Sequence, residues 1–213
     1  MNYKLIEIFK DYSTRLNLLS RGDRELLEQK HFPDALEVLK IWTPENGSKI
    51  ADIGTGGGLP GLVLASELPE CEFTLIDARQ KKVEAVEGMA KEAGLKNVTG
   101  RSGRFEVIAR EEEYREQFDF VTARAVASLP VLLEYAAPFL KVGGQLLAWK
   151  GPSYTEDLNK AREAMEILEM DLETEHPYLL PTGEERVILV FKKIDVTPEK
   201  YPRPDGRPKK SPL

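Results

Sequence analysis

The stretch ADIGTGGGLPGLVLA, Ala51–Ala65, sets five glycines and a proline between an apolar run and a segment with helical spacing. Outward from it, short runs rich in β-branched and apolar residues recur at Lys49–Ile53, Glu72–Ile76, Phe118–Thr122 and Gln145–Trp149, separated by longer helical or mixed stretches. That alternation is the βαβ rhythm, which implies a parallel sheet with helices on both faces. A further strand is expected at Glu185–Lys193, after the turn signal PTGE. The glycines therefore fall after the first strand and before a helix starting near Pro60. There, backbone N–H groups face the carboxyl edge of the sheet, where ligands of doubly wound folds bind. Gly56-x-Gly58-x-x-Gly61 satisfies the dinucleotide fingerprint to the letter, yet a glycine-rich strand-to-helix turn with no ligand satisfies it too. No Gly-Lys-Ser/Thr follows, which disfavours a phosphate-cradling P-loop.

Two features weigh a nicotinamide dinucleotide against S-adenosylmethionine. Asp52, at the strand tip, would repel a pyrophosphate but suits the ammonium of a methionine moiety. Asp77, ending the next strand in FTLIDA, is placed to accept hydrogen bonds from both hydroxyls of a ribose, which either ligand carries. The segment APFLKVGGQLLAWKG, Ala137–Gly151, reads as a helix, a Gly143-Gly144 turn and a buried strand, and no second domain of dehydrogenase size remains. A methyltransferase core over 48–194 is the better reading.

Length and composition fit this. A chain of 213 residues with 41% hydrophobic and 31% charged residues supports one large core. Apolar residues at helical spacing over Asn2–Leu19 and Asp23–Trp42 make residues 1–47 a helical cap, and 195–213 forms a basic, proline-rich tail outside the core. No run approaches the ~20 apolar residues of a membrane span, and Met1–Ser20 lacks the apolar centre of a secretion signal, so a cytoplasmic protein is expected. One cysteine, Cys71, and two distant histidines, His31 and His176, give neither a disulfide framework nor a metal-ligand cluster.

The chain resembles the bacterial 16S rRNA guanine-N7 methyltransferases, the glucose-inhibited division protein B family. The resemblance runs nearly end to end, through NLLS and KHFPDAL in the cap, DIGTGGGLPGLVLA in the loop, DARQKKV, GRFE, RAVASL, the Lys150-Gly151 pair, ERVILVFKK and the tail KYPRPDGRPKKSPL. The family often carries Arg-His and Asp-Ser where this chain has Lys30-His31 and Asp34-Ala35, and Glu in place of Asp77. The resemblance implies a class I fold with a mostly parallel seven-stranded sheet and an antiparallel C-terminal strand. It implies S-adenosylmethionine held by Gly54, Leu59, Phe105, Glu106 and Arg124; Gly56, Gly58, Asp52 and Asp77 join that set on the physical argument above. Glu106 is expected to act through its backbone N–H, its side chain being tolerant of substitution.

The substrate that the resemblance implies agrees with the chemistry of the residues. Guanine N7 presents an in-plane lone pair and no proton, so methylation there needs no general base. No Asn/Asp-Pro-Pro-aromatic motif of exocyclic-amine enzymes stands near Phe118–Thr122, and Cys71 is remote from any nucleophile position. Arg124, Lys150, Arg104 and Arg186 are the candidates for positioning guanine O6 or flanking phosphates, His31 being a weaker one. Each has the plain alternative of a solvated charge or structural ion pair. Lys192, Lys193, Lys200, Arg203, Arg207, Lys209 and Lys210 are candidates for phosphate contacts, set against a net charge of −6. The expected partner is 16S rRNA within the 30S subunit or its precursor, and the expected state a monomer. Left open are another acceptor for the methyl group, a ligand-binding module without turnover, and a nicotinamide-dependent oxidoreductase.

Overall fold

The computed structural model describes every residue except Met1 and Asp205, so those two positions of the expected cap and tail lie outside the description. The chain begins with α1, Tyr3–Leu16, whose free N-terminal groups are capped by the Asn2 side chain accepting from Leu5 N–H at 3.1 Å. Asn17 ends it in the left-handed region at φ 50°. The expected long second helix is instead broken into α2, Arg21–Glu25, a π-type turn over Leu27–His31, α3, Phe32–Leu36, and a 3₁₀ turn over Glu37–Lys40. Pro33 is the reason: it has no N–H to donate and is tolerated only in a first helical turn, where α3 puts it.

The remaining elements follow in order as β1 Lys49–Ile53, α4 Gly61–Glu67, β2 Glu72–Asp77, α5 Gln80–Ala93, β3 Val98–Ser102 and α6 Phe105–Ile108. After them come β4 Phe118–Arg124, α7 Leu129–Ala136, β5 Leu140–Lys150, α8 Tyr154–Lys160, α9 Arg162–Leu168, β6 Met170–Leu179, β7 Glu185–Lys193 and α10 Arg207–Lys210. The sheet has the order β3-β2-β1-β4-β5-β7-β6. The first five strands in that order pair in parallel, and β7 runs antiparallel to both of its neighbours. This is the expected architecture. The chain order reverses direction beside β1, so the crevice at the carboxyl ends of β1 and β4 is the topological switch point.

Three local readings are corrected. Gly143-Gly144 makes no turn between separate elements; β5 runs through both glycines, and its partners jump from Phe118 opposite Leu140 to Phe120 opposite Gln145, a bulge that φ 85° at Gly143 permits. Residues 98–102 and 170–179, which are not among the strand runs marked in the sequence, form the edge strands β3 and β6. Pro177 sits in β6, at the sheet edge where a strand tolerates a missing donor.

The tail is the third correction, because it packs as a core element. Tyr201 and Thr197 are buried. Arg115 donates to Tyr201 O at 3.0 Å and Thr197 O at 2.9 Å, and Arg110 donates to Pro202 O at 2.6 Å. Glu134 of α7, fully buried, receives Arg203 through its N–H, Nε and Nη2 at 2.7, 2.9 and 2.6 Å.

Candidate active site

The glycine loop is built by sterics. Gly54, Gly56 and Gly58 adopt φ of 73°, 57° and 97°, values an L-residue adopts only with strain. At two of them space also forbids a side chain: a Cβ on Gly54 would lie 2.8 Å from Val126 Cγ2, and one on Gly58 2.6 Å from Leu62 Cδ1. Gly57 is covered from the cap by Leu18 and Leu19 of the NLLS segment. Gly56 has room, with only the Lys82 ammonium at 3.6 Å and Gly54 O at 3.7 Å near its would-be Cβ. A narrow shelf of backbone is thereby left half-exposed at Gly54 and Gly56.

Asp77 stands at the end of β2 over this shelf. Its Oδ2 accepts from Gly56 N–H at 3.1 Å and its Oδ1 from Arg79 N–H at 2.9 Å. Each carboxylate oxygen has a second lone pair, so two acceptor positions remain for a vicinal diol. The residues thus fit a ribose-bearing ligand on the grounds of the glycine cradle and the donor chemistry of Asp77. Leu59 is buried beneath the loop and supports it.

Asp52 does not face that shelf. It is 1% exposed, its Oδ1 accepts from Thr122 Oγ1 at 2.8 Å, and its Oδ2 from Gly61 N–H at 3.2 Å. Burial pushes its carboxyl up to about 6, against the hydrogen bonds that favour the charge. The expected ammonium contact is replaced by a structural role: Asp52 ties β1, β4 and the first turn of α4 together beneath the loop.

The Arg104–Glu106 turn closes the other side. Phe105 and Glu106 open α6, where first-turn N–H groups have no intrahelical acceptor. The Glu106 side chain is 6% exposed and its Oε1 accepts from Gly206 N–H at 3.1 Å, so the expectation that this side chain is dispensable is corrected. Arg104 lies beside the same segment of the tail, its Nη1 3.7 Å from the position a Gly206 Cβ would take.

A pocket of about 460 Å³ adjoins the loop, with Val126 as the wall between them. It gathers Arg124, Lys150 and Arg186 with Lys30, His31 and Asp34. Three of the four basic candidates meet here, whereas Arg104 does not line this pocket. Arg124 is the last residue of β4, and Ala125 after it takes φ 57°, a strained position for a residue with a Cβ that turns the chain across the sheet edge. Arg124 Nη1 donates to Asp34 Oδ2 at 2.7 Å. Asp34, 5% exposed, also accepts from Tyr178 Oη at 2.5 Å, and its backbone carbonyl accepts from Trp149 Nε1 at 2.8 Å. Burial and the charge of Asp34 hold the Tyr178 hydroxyl far above its usual range, so it stays protonated.

Lys150 Nζ donates to Ala127 O at 2.9 Å and Asp157 Oδ2 at 2.8 Å, leaving one of its three protons for the pocket. Glu184 bridges Lys30 and Arg186, each at 2.8 Å. His31 Nε2 lies 3.2 Å from Asp23 Oδ1. Burial, with the positive charge of Arg124, lowers the His31 pKa below its ordinary value, so the ring is neutral near pH 7. Asp34 is the residue sequence reading missed. The quoted KHFPDAL contained it, but its partners Arg124 and Tyr178 lie 90 and 144 residues away.

The remaining candidates separate by geometry. Cys71 is buried just before β2 with Sγ toward Glu45 O, and burial pushes its thiol up. His176 lies on the edge strand β6, 3.0 Å from Glu37 Oε1. Lys193 is fully buried and Arg203 is spent on Glu134, so neither is available to an external phosphate, while Lys192 is exposed on β7. Among the described residues no cluster of potential metal ligands occurs and no helix is long and apolar enough to cross a membrane.

Known proteins give this geometry its context. Among solved structures, the chain resembles an O-methyltransferase from Bacillus cereus in complex with SAH (TM-score 0.61, 18% identity, 91% of this chain and 92% of that one). It also resembles the YcgJ protein of Bacillus subtilis (TM-score 0.60, 15% identity, 78% of this chain and 100% of that one). These likenesses show the class I methyltransferase fold. In sequence it is 45% identical to the ribosomal RNA small subunit methyltransferase G of Thermotoga neapolitana over 98% of both chains. It is 38% identical to the protein of the same name from Streptococcus pneumoniae over 99% of this chain and 89% of the other. A family model described as GidB, rRNA small subunit methyltransferase G, matches residues 3–178, which span the glycine shelf, Asp77, Arg124 and every residue of the pocket named above except Arg186. The chain belongs to the rRNA small subunit methyltransferase G family.

Proposed function

We propose that the protein transfers a methyl group from S-adenosylmethionine to N7 of a guanine in 16S rRNA, with the small subunit or its precursor as substrate. The observation that carries this reading is the juxtaposition of the glycine shelf with a pocket lined by Arg124, Lys150 and Arg186, one side chain, Val126, standing between them. Bound there, the donor would supply an electrophilic methyl on a sulfonium, with the thioether as leaving group.

The protein's part is orientation. Arg124 and Lys150 donate to guanine O6 or to phosphate, since a cation aimed at N7 would occupy the nucleophile. Asp34 fixes the guanidinium from behind. As positive charge develops on the purine, neutral His31 adds no repulsion and the Asp34 carboxylate offsets the nearby cations. Holding the two reactants aligned is worth up to roughly 7–11 kcal/mol of barrier. No residue of the pocket is required to remove a proton. Gly54, Gly56 and Asp77 hold the methionine and ribose portions, and the Arg104–Glu106 turn meets the adenine.

Exposed Lys192, Lys200, Arg207, Lys209 and Lys210 supply a few salt-sensitive phosphate contacts, too few for tight binding of naked RNA. The test is transfer of tritiated methyl to 30S subunits and to free 16S rRNA from cells lacking such an activity. Label in the 30S RNA supports the reading. Binding of S-adenosylhomocysteine without labelling of either RNA defeats the acceptor assignment, and binding of NADH instead defeats the donor.

A further inference from the structure

The basic tail has one contact that packing alone does not require. Past its midpoint Gly206, left-handed at φ 68°, turns its N–H onto the buried carboxylate of Glu106 at 3.1 Å. Glu106 belongs to α6, a helix of four residues, too short to hold its own orientation. Its position must come from neighbours, and on this side the neighbours are the tail and α7. The Phe105 ring packs on Tyr135 of α7 at 5.2 Å between centroids. Burial and the charge of Glu106 push the Tyr135 hydroxyl up to about 12, so it stays protonated beside that carboxylate.

The tail cannot swing free, because Arg203 locks it three residues upstream. Its N–H, Nε and Nη2 all reach the buried Glu134, and Nη2 also meets Ser211 O at 2.9 Å, closing the tail on itself. Arg110, two residues after α6, donates to Pro202 O and to Lys200 O at 3.2 Å. The short helix is thus held to the tail from both ends.

We propose that the tail is a strut for the cofactor site: anchored by Arg203 on Glu134, it holds the Arg104–Glu106 turn through the Gly206–Glu106 hydrogen bond in the orientation that meets the adenine. Arg203 is a positioning residue, acting through Glu106 and touching no reactant. The inference rests on the reading of that turn as the adenine side of the methyl-donor site.

The experiment compares wild type with R203A, R203K and E106A in the full chain. Affinity for S-adenosylhomocysteine is measured by calorimetry, and KM for S-adenosylmethionine and kcat on 30S subunits by steady-state transfer. R203K keeps a charge for Glu134 but not the forked geometry, and remains informative where R203A is too unstable to purify. In R203K and E106A, affinity for the product and KM for the donor worsen together by roughly fivefold, the ratio given by one net hydrogen bond of ~1 kcal/mol. In R203K, kcat at saturating donor stays within about twofold, because the pocket around Arg124 is untouched. Unchanged affinity in folded R203K and E106A overturns the strut, as does a fall in kcat with KM unmoved. Failure of the wild type itself to bind S-adenosylhomocysteine overturns the underlying reading of the loop, and the strut with it.

Discussion

Glu116→Ala is the sharpest test of how the C-terminal cations are used. Lys193 and Lys192 are adjacent on β7, so their side chains point to opposite faces of the sheet. Lys192 is exposed, whereas Lys193 is 0% exposed with its three protons donated to Glu116 Oε1 at 2.6 Å, Ala137 O at 3.0 Å and Leu140 O at 2.7 Å. Burial lowers the Lys193 pKa, and Glu116 is the main group holding it up. Removing Glu116 leaves an ammonium among apolar neighbours with two carbonyls and no counter-ion, a change that costs about 3–5 kcal/mol in comparable buried pairs. For a chain of this size each kcal/mol moves the melting temperature by about 2–4 °C, so calorimetry at pH 7 should show a fall of roughly 10 °C. The sign of the pH effect follows. With its folded pKa lowered further, Lys193 is neutral in the folded state at pH values where the unfolded chain, near 10.5, still binds the proton. The stability deficit of E116A therefore narrows as pH rises from 7 toward 10.5. Lys192→Ala serves as control and changes stability by no more than about 0.5 kcal/mol. A melting temperature for E116A within 2 °C of wild type, taking about 2 °C as under 1 kcal/mol, refutes the assignment of Lys193 as a core cation.

Three further outcomes are expected. Gly61→Ala places a Cβ 2.6 Å from Asp52 Oδ2 and 3.0 Å from Asp52 Cβ, so denaturant titration should show a loss of about 1–3 kcal/mol, as overpacking gives. Asp52 has a folded pKa of about 6, above its ordinary 3.8; its stabilising protonation is complete below about pH 3.8 and lost as pH rises through about 6, a slope in stability that should disappear in a variant whose residue 52 cannot ionise. Asp34→Ala frees Arg124 and Tyr178, and because misplacement by about 1 Å can cost 10²-fold, kcat on 30S subunits should fall by roughly that factor with the affinity for S-adenosylhomocysteine little changed; equal loss in both would place Asp34 in donor binding instead.

What the sequence discloses and what it hides divide along the range of the interactions. The βαβ rhythm, the glycine shelf and Asp77 are legible because strand periodicity, positive-φ glycines and a strand-end carboxylate leave marks within a few residues of one another. The strand β6 was obscured because Pro177 interrupts its pattern, although an edge position tolerates it. Asp52 reads as a strand-tip acid, and only the fold reveals that Thr122 and Gly61 N–H draw it beneath the loop. The basic residues were legible as charges and not as partners. Arg203 and Glu134 are 69 residues apart, Lys193 and Glu116 77, and Arg124 and Asp34 90, so which cations remain for RNA is decided by tertiary pairing. Of the four positioning candidates, Arg124, Lys150 and Arg186 converge because they sit at the carboxyl end of β4, the same end of its parallel neighbour β5, and the start of antiparallel β7. Arg104 follows β3, on the far side of the sheet order, and joins the tail instead.

The measurement that bears most directly on the central claim is the position of the methyl group on the base. After transfer to 30S subunits, 16S rRNA is treated with borohydride and aniline, which break the chain where a guanine carries a methyl on N7. A pocket that orients O6 and supplies no base for proton removal predicts one strand break at a single guanine, dependent on both S-adenosylmethionine and Arg124. Label that survives the cleavage, on an exocyclic amine, a ring carbon or a ribose, contradicts the account.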